Sequence, residues 1–289
     1  MLTLQSGESS LVLAPEIGGA VVGWAKGTVP LFRRPHPDAI MLGNVRGLSC
    51  FPLVPFSNRI AYGRFRWHGV EYQLDRNFGD HPHTIHGVGW QSVWEVAEVA
   101  SASAVLRLRH DPSGAAARRW PFAFAAEQRI ELGADGLRIE LSVQNLHTAA
   151  APTGLGLHPH FPLVGGATLQ FDATAVWRNG ADSLPSTQVA IPSEWDHAEG
   201  KRIGTAALDN CFTGWDGHAA ISPARLTIEA DALFRFLIVY TPPGRGYFCV
   251  EPVSHMPDAI NRMDTVPDHG LRVLAPGETL TGAVWFRLS

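Results

Sequence analysis

Apolar and polar residues alternate with a period of two along most of the chain, a pattern that a strand satisfies and a helix does not. Leu137, Ile139, Leu141 and Val143 alternate with polar neighbours, as expected of a strand with one buried face. Phe65, Trp67, Val70, Tyr72 and Leu74 line a predicted hairpin that turns at His68-Gly69. Further strands are expected at 10–13, 20–25, 90–99, 104–110, 122–132, 167–174, 226–231, 235–241, 247–252 and 279–288. No long amphipathic helical pattern competes with them. Glycine (29) and proline (21) are frequent enough to join many short strands by tight turns, as at Gly165-Gly166 and Pro242-Pro243-Gly244. The fold class is therefore all-β, a large antiparallel sandwich or barrel. With no internal repeat, low-complexity tract or long linker, residues 1–289 are read as one domain. The stretches 179–210 and 76–88 break the alternation and are read as loops, where binding residues tend to gather on a sheet framework.

Composition narrows the function classes. Charged residues make up 17%, below the roughly 25% usual for globular domains, so the interior should be large. A formal charge of -4 and no basic stripe interleaved with aromatics argue against a nucleic-acid partner. No apolar run reaches the length of about 18 residues that spans a bilayer, so no membrane partner is expected. Cys50, Cys211 and Cys249 are odd in number, far apart and set among apolar neighbours, which reads as buried thiols. The first lysine is Lys26 and the N-terminus lacks the basic and apolar regions of a signal, so a reducing cytoplasm is the expected compartment.

Five segments carry residues suited to chemistry. In Phe51-Pro-Leu-Val-Pro-Phe-Ser-Asn-Arg-Ile60, prolines hold the chain extended and project Asn58 and Arg59, whose planar fork suits a hydroxylated ligand or loop carbonyls alike. His81-Pro-His-Thr-Ile-His-Gly87 offers three histidines, yet no thiolate or carboxylate beside them completes a metal site, and no metal or cofactor is expected. His86 before Gly87 suggests either a turn histidine whose glycine lets a ligand approach or, equally, a loop histidine satisfied by its own surroundings. In Gly154-Leu-Gly-Leu-His-Pro-His-Phe161, an extended chain puts Gly156, His158 and His160 on one face, with the imidazole over a surface cleared by glycine, unless His158 is a core residue bonded to a carbonyl. Asp209 ends the long loop, where an Asx turn is the ordinary reading. Tyr247, Cys249 and Glu251 share one face of a strand and Phe248 and Val250 the other. A carboxylate and an imidazole in apolar surroundings suffice to take one proton from a substrate and return another.

Asn58-Arg59-Ile60, His86-Gly87, His158-Pro-x-Phe161, Asp209-Asn-x-Phe212 and Glu251-Pro252, in this order, resemble the aldose 1-epimerases, the galactose mutarotase family, over nearly the whole chain. The resemblance implies a galactose mutarotase-like β-sandwich with an open cleft on a concave sheet face. It further implies a cytoplasmic isomerase, monomer or homodimer, that interconverts the α and β anomers of a free hexose without a cofactor. By position, Glu251 corresponds to the general base and His158 to the general acid, while Arg59, His86, Asp209 and Asn58 fall among the residues that bind the sugar. A nearby Glu251 should raise the pKa of His158 and keep it charged. His160 stands where many members have an aromatic residue. Trp24, Trp67, Trp90 and Phe212 are candidates to stack on the sugar, although nine tryptophans in a β-rich chain are mostly core. Three rival readings use the same chain. An epimerase of a hexose 6-phosphate or other anionic sugar would need basic residues at one edge of the cleft, for which Arg46, Arg64, Arg66, Arg118 and Arg119 are available. A non-catalytic carbohydrate-binding protein would need no acid and base together, and a metal-dependent β-barrel enzyme would use the histidine-rich loop.

Overall fold

The computed structural model describes residues 1–204 and 206–288. Strands dominate, and every pairing between named strands is antiparallel. A nine-stranded sheet includes Phe124–Leu132, Gly136–Asn145 and the C-terminal Thr279–Leu288. An eight-stranded sheet includes Asp209–Thr213, Phe236–Tyr240 and Tyr247–Val253, and a four-stranded sheet forms the N-terminus. The predicted hairpin turn has His68 and Gly69 at φ of 46° and 83°, the left-handed pair that a two-residue hairpin loop requires.

Aromatic contacts fix the two larger sheets against each other. Phe161 beside Tyr247–Val253 meets Phe286 of the nine-stranded sheet at 6.4 Å, and Phe171 meets Phe212 edge-on at 5.0 Å. Such an edge-on arrangement puts the positive ring edge against the negative ring face. The sandwich expected from alternation is what forms. Phe248 and Val250 point into this apolar core, whereas Tyr247 and Glu251 face a cleft on the opposite side of the same strand.

Two regions read as loops contain strands. Within 179–210 lie Pro185–Val189 and Lys201–Arg202, and Asp209 opens the strand Asp209–Thr213 instead of closing a loop. The polar face of these strands is half-exposed and their inward residues are few, which hides them from a pattern search. Within 76–88, only Thr84–Ile85 is strand. Strands at Leu2–Ser6, Ala175–Asn179 and His218–Ser222 also escaped the pattern.

Candidate active site

The cleft encloses about 640 Å³ and is lined by residues from all five singled-out segments, among them Asn58, Arg59, His86, His158, Asp209 and Glu251. Strand register brings them together. Asp209 lies across from Tyr240, Tyr240 across from Cys249 and Cys249 across from His160, while Glu251 lies two residues along from Cys249 and opposite Ile238. Residues from three separate parts of the sequence, around 160, 209 and 240–249, thus become one row across the sheet.

Glu251 Oε1 and His158 Nε2 are 3.3 Å apart, with the Glu251 side chain 3% exposed. The remaining polar atoms of the pair, Glu251 Oε2 and His158 Nδ1, have no hydrogen-bond partner among the described residues. His158 is therefore not a core histidine tied to a carbonyl. Its ring is held between Phe51, at 4.6 Å and 36°, and His160, at 4.6 Å and 13°. His160 Nδ1 donates to the Ser49 carbonyl at 3.2 Å, and burial, with the neighbouring His158 and the Arg33 charge, holds the His160 ring well below the usual imidazole range in spite of that bond.

Burial shifts the two groups in opposite directions. Desolvation pushes the Glu251 carboxyl well above the ordinary range, aided by the nearby Asp209 charge and opposed by Arg59. Desolvation also depresses His158 to about 3, aided by the positive charge of Arg33. The expectation that Glu251 would raise His158 is thus overturned, because loss of hydration outweighs the attraction of a carboxyl group that is itself held towards neutrality. Both shifts run towards the uncharged form of each group.

Backbone geometry sets the donor pattern around this pair. The Asn58 N–H donates to His86 Nδ1 at 3.1 Å, so His86 carries its proton on Nε2. The Arg59 N–H donates to Asn58 Oδ1 at 2.9 Å. The Arg59 guanidinium reaches Asp209 Oδ2 at 2.7 Å and the Ser183 carbonyl at 3.1 Å, and its Nε is unpartnered among the described residues. Arg59 thus bonds a loop carbonyl, as its structural reading expects, and it also lines the cleft. Asp209 is engaged by this ion pair rather than by an Asx turn.

Glycine acts differently from expectation. A Cβ on Gly87, whose φ is 71°, would lie 2.3 Å from the Val54 carbonyl oxygen, so this glycine admits a neighbouring backbone and not a ligand. Gly156 is likewise closed over by Val253 and Leu53. The proposed stacking residues fail as well: Trp24, Trp67, Trp90 and Phe212 are all buried in the core, with Trp90 behind His86 and Phe51. The rings that line the cleft are Phe51, Phe78, Tyr240 and Tyr247. Of Arg46, Arg64, Arg66, Arg118 and Arg119 only Arg46 lines it, joined by Arg33 and Arg245, which no sequence pattern marked. Arg245 follows the Pro242-Pro243-Gly244 turn that leads into the strand of Glu251, a position that could have flagged it.

Of the clustered histidines, His81 and His86 line the cleft, whereas His83 is buried and bonded to the Asp182 carbonyl and the Tyr62 N–H. A different group, His158, His160 and Cys249, offers ligand atoms within 4.8 Å of one another. Two nearly parallel rings direct their in-plane lone pairs side by side, a poor match to the convergent, tetrahedral set that zinc takes. Cys50, Cys211 and Cys249 are buried free thiols, as expected, and burial raises all three. Among the described residues no helix is long and apolar enough to cross a membrane.

Comparison with known proteins accords with this arrangement. The chain is 32% identical over 299 residues to the uncharacterized protein YphB of Escherichia coli K12, covering 99% of this chain and 98% of that one. A crystal structure of an Escherichia coli K12 protein superimposes with a TM-score of 0.88 at 31% identity, covering 99% and 97% of the two chains. A galactose mutarotase-like protein from Clostridium acetobutylicum shares the fold, with a TM-score of 0.87 at 20% identity and coverage of 98% and 93%. The description of the aldose 1-epimerase family matches residues 1–287. On that match and on its similarity to YphB along the full chain, this protein belongs to the aldose 1-epimerase family.

Proposed function

We propose that the protein is an aldose 1-epimerase that interconverts the α and β anomers of a free aldose, with Glu251 as base and His158 as acid. The observation that carries this reading is the buried contact between Glu251 and His158 at 3.3 Å on the cleft wall. In the reactive form Glu251 is ionised and His158 protonated. Glu251 takes the proton of the anomeric hydroxyl, His158 gives one to the ring oxygen, and the bond between C1 and the ring oxygen breaks to leave an aldehyde. Rotation about C1–C2 and the reverse transfers close the ring on its other face.

The shifts produced by burial favour these transfers. A carboxylate pushed up is a stronger base and an imidazolium pushed down is a stronger acid, so each proton moves towards its preferred site. After the two transfers Glu251 is a carboxylic acid and His158 a neutral imidazole, the forms towards which burial shifts each group. Concerted transfer avoids a lone charge at this depth, which would be costly. His86, with its proton on Nε2, donates to a sugar oxygen, and Arg59, Asp209 and Asn58 orient the hydroxyls.

The test is saturation-transfer NMR or polarimetry of freshly dissolved α-D-glucose and α-D-galactose. Wild type is expected to accelerate equilibration, and Glu251→Gln to lose about 10²-fold or more, in the range of general acid/base contributions. A folded Glu251→Gln variant with wild-type turnover would rule out the assignment of the base.

A further inference from the structure

We infer that the cleft holds a subsite for an anionic group and that the preferred substrate is an aldose bearing a carboxylate or phosphate, an inference that rests on the epimerase reading above. The cleft is positive in a chain whose formal charge is -4. Four arginines line it, Arg33, Arg46, Arg59 and Arg245, against two carboxyl groups, Asp209 and Glu251. Asp209 is matched by Arg59, and burial holds Glu251 towards neutrality. Positive charge therefore remains on Arg33, Arg46 and Arg245.

All three residues line the same cleft. Arg46 sits over the Phe78 ring at 4.6 Å, Arg33 over the Tyr247 ring at 4.4 Å, and Arg245 lies two residues before Tyr247. Arg33 donates to the backbone carbonyls of Leu48 and Arg46, which anchors it and fixes Arg46 beside it. Arg46 and Arg245 are exposed, and among the described residues neither has a carboxylate partner or a side-chain hydrogen bond. Guanidinium groups are placed on aromatic faces when their planar forks are presented edge-on, the geometry that grips a carboxylate or phosphate with paired donors. A neutral hexose uses none of this charge. No hydrogen bond or ion pair among the described residues joins Arg46 or Arg245 to Glu251 or His158, so anion binding leaves the acid/base pair free to act.

The experiment compares kcat/KM for mutarotation of glucose and galactose with that for glucuronic acid, galacturonic acid, glucose 6-phosphate and galactose 6-phosphate, in wild type and in the double variant Arg46→Gln, Arg245→Gln. Wild type is expected to favour at least one charged sugar over its neutral parent by about tenfold or more, as charged hydrogen bonds supply. The double variant should erase most of that ratio, and raising the salt concentration should shrink it in wild type. Carboxylate against phosphate sugars shows which anion the subsite takes. A charged-to-neutral ratio of one or below, or a ratio unchanged in the double variant, overturns the anionic subsite while leaving the epimerase reading intact. No acceleration of any of the six sugars overturns the epimerase reading and this inference with it.

Discussion

Asn58 and His86 hold each other in strained backbone conformations. Their φ values are 55° and 62°, the Asn58 N–H donates to His86 Nδ1 at 3.1 Å, and the His86 N–H returns a bond to the Asn58 carbonyl at 2.9 Å. Positive φ in residues other than glycine is tolerated where the surroundings over-determine it, often at functional sites. The reciprocal bonds fix the tautomer of His86 and the direction in which Arg59 leaves the chain.

Replacing His86 with phenylalanine should therefore cost stability as well as activity. The buried Asn58 N–H loses its acceptor, a penalty of about 1–3 kcal/mol. Chemical denaturation should register that loss, and KM for the best sugar should rise. Unchanged stability would mean that the Asn58–His86 bond is dispensable.

Arg59 and Asp209 should behave as a unit. Their contact at 2.7 Å is partly buried, with side chains 13% and 39% exposed. Arg59→Ala and Asp209→Asn should each reduce kcat/KM by about tenfold or more, and the double variant should lose little beyond the worse single change. Additive losses would show that the two residues act on the substrate separately.

Gly87→Ala should destabilise the fold by about 2 kcal/mol or more, since the new Cβ adds the cost of a left-handed conformation to a collision. Val54 supplies that collision: its carbonyl oxygen and carbon lie 2.3 and 2.6 Å from the position of the Cβ. Equilibrium denaturation of the variant checks this. A neutral result would mean that the Val54–Gly87 bridge shifts freely.

Stability should fall as acid is added below pH 6.5. His255 is depressed from 6.5 to about 4 by burial, with its Nε2 accepting the Ser57 N–H at 3.0 Å and its Nδ1 donating to the Met256 carbonyl at 2.8 Å. A histidine with a lowered folded pKa binds fewer protons folded than unfolded, so its contribution is complete above 6.5 and is lost as pH falls towards 4. At 1.36 kcal/mol per unit, His255 alone accounts for about 3 kcal/mol as an upper figure. His158, depressed to about 3, acts in the same sense, whereas Glu251, raised, contributes stability that is present at low pH and is lost as pH rises through its folded value. Denaturant titrations at pH 7, 5.5 and 4.5 measure the slope, and NMR of the histidine ring protons should find His255 unprotonated at pH 5. A His255 ring found protonated at pH 5 would contradict the shift.

Alternation alone determined the strands Phe236–Tyr240 and Tyr247–Val253 and which face Tyr247, Cys249 and Glu251 share, because the pleat repeats every two residues whatever the surroundings. Motif order also marked Asn58, Arg59, His86, His158 and Asp209, all of which line one cleft. Tertiary structure alone decided the depth at which Glu251 and His158 sit, and with it the direction of both pKa shifts, since desolvation depends on atoms from distant parts of the chain. It also decided that Trp90 supports the site from behind, that Gly87 serves Val54, and that Arg33, Arg46 and Arg245 line the same cleft. Period and turn chemistry are local properties that a sequence carries in plain order, whereas burial, charge convergence and close approach are set by which strands become neighbours.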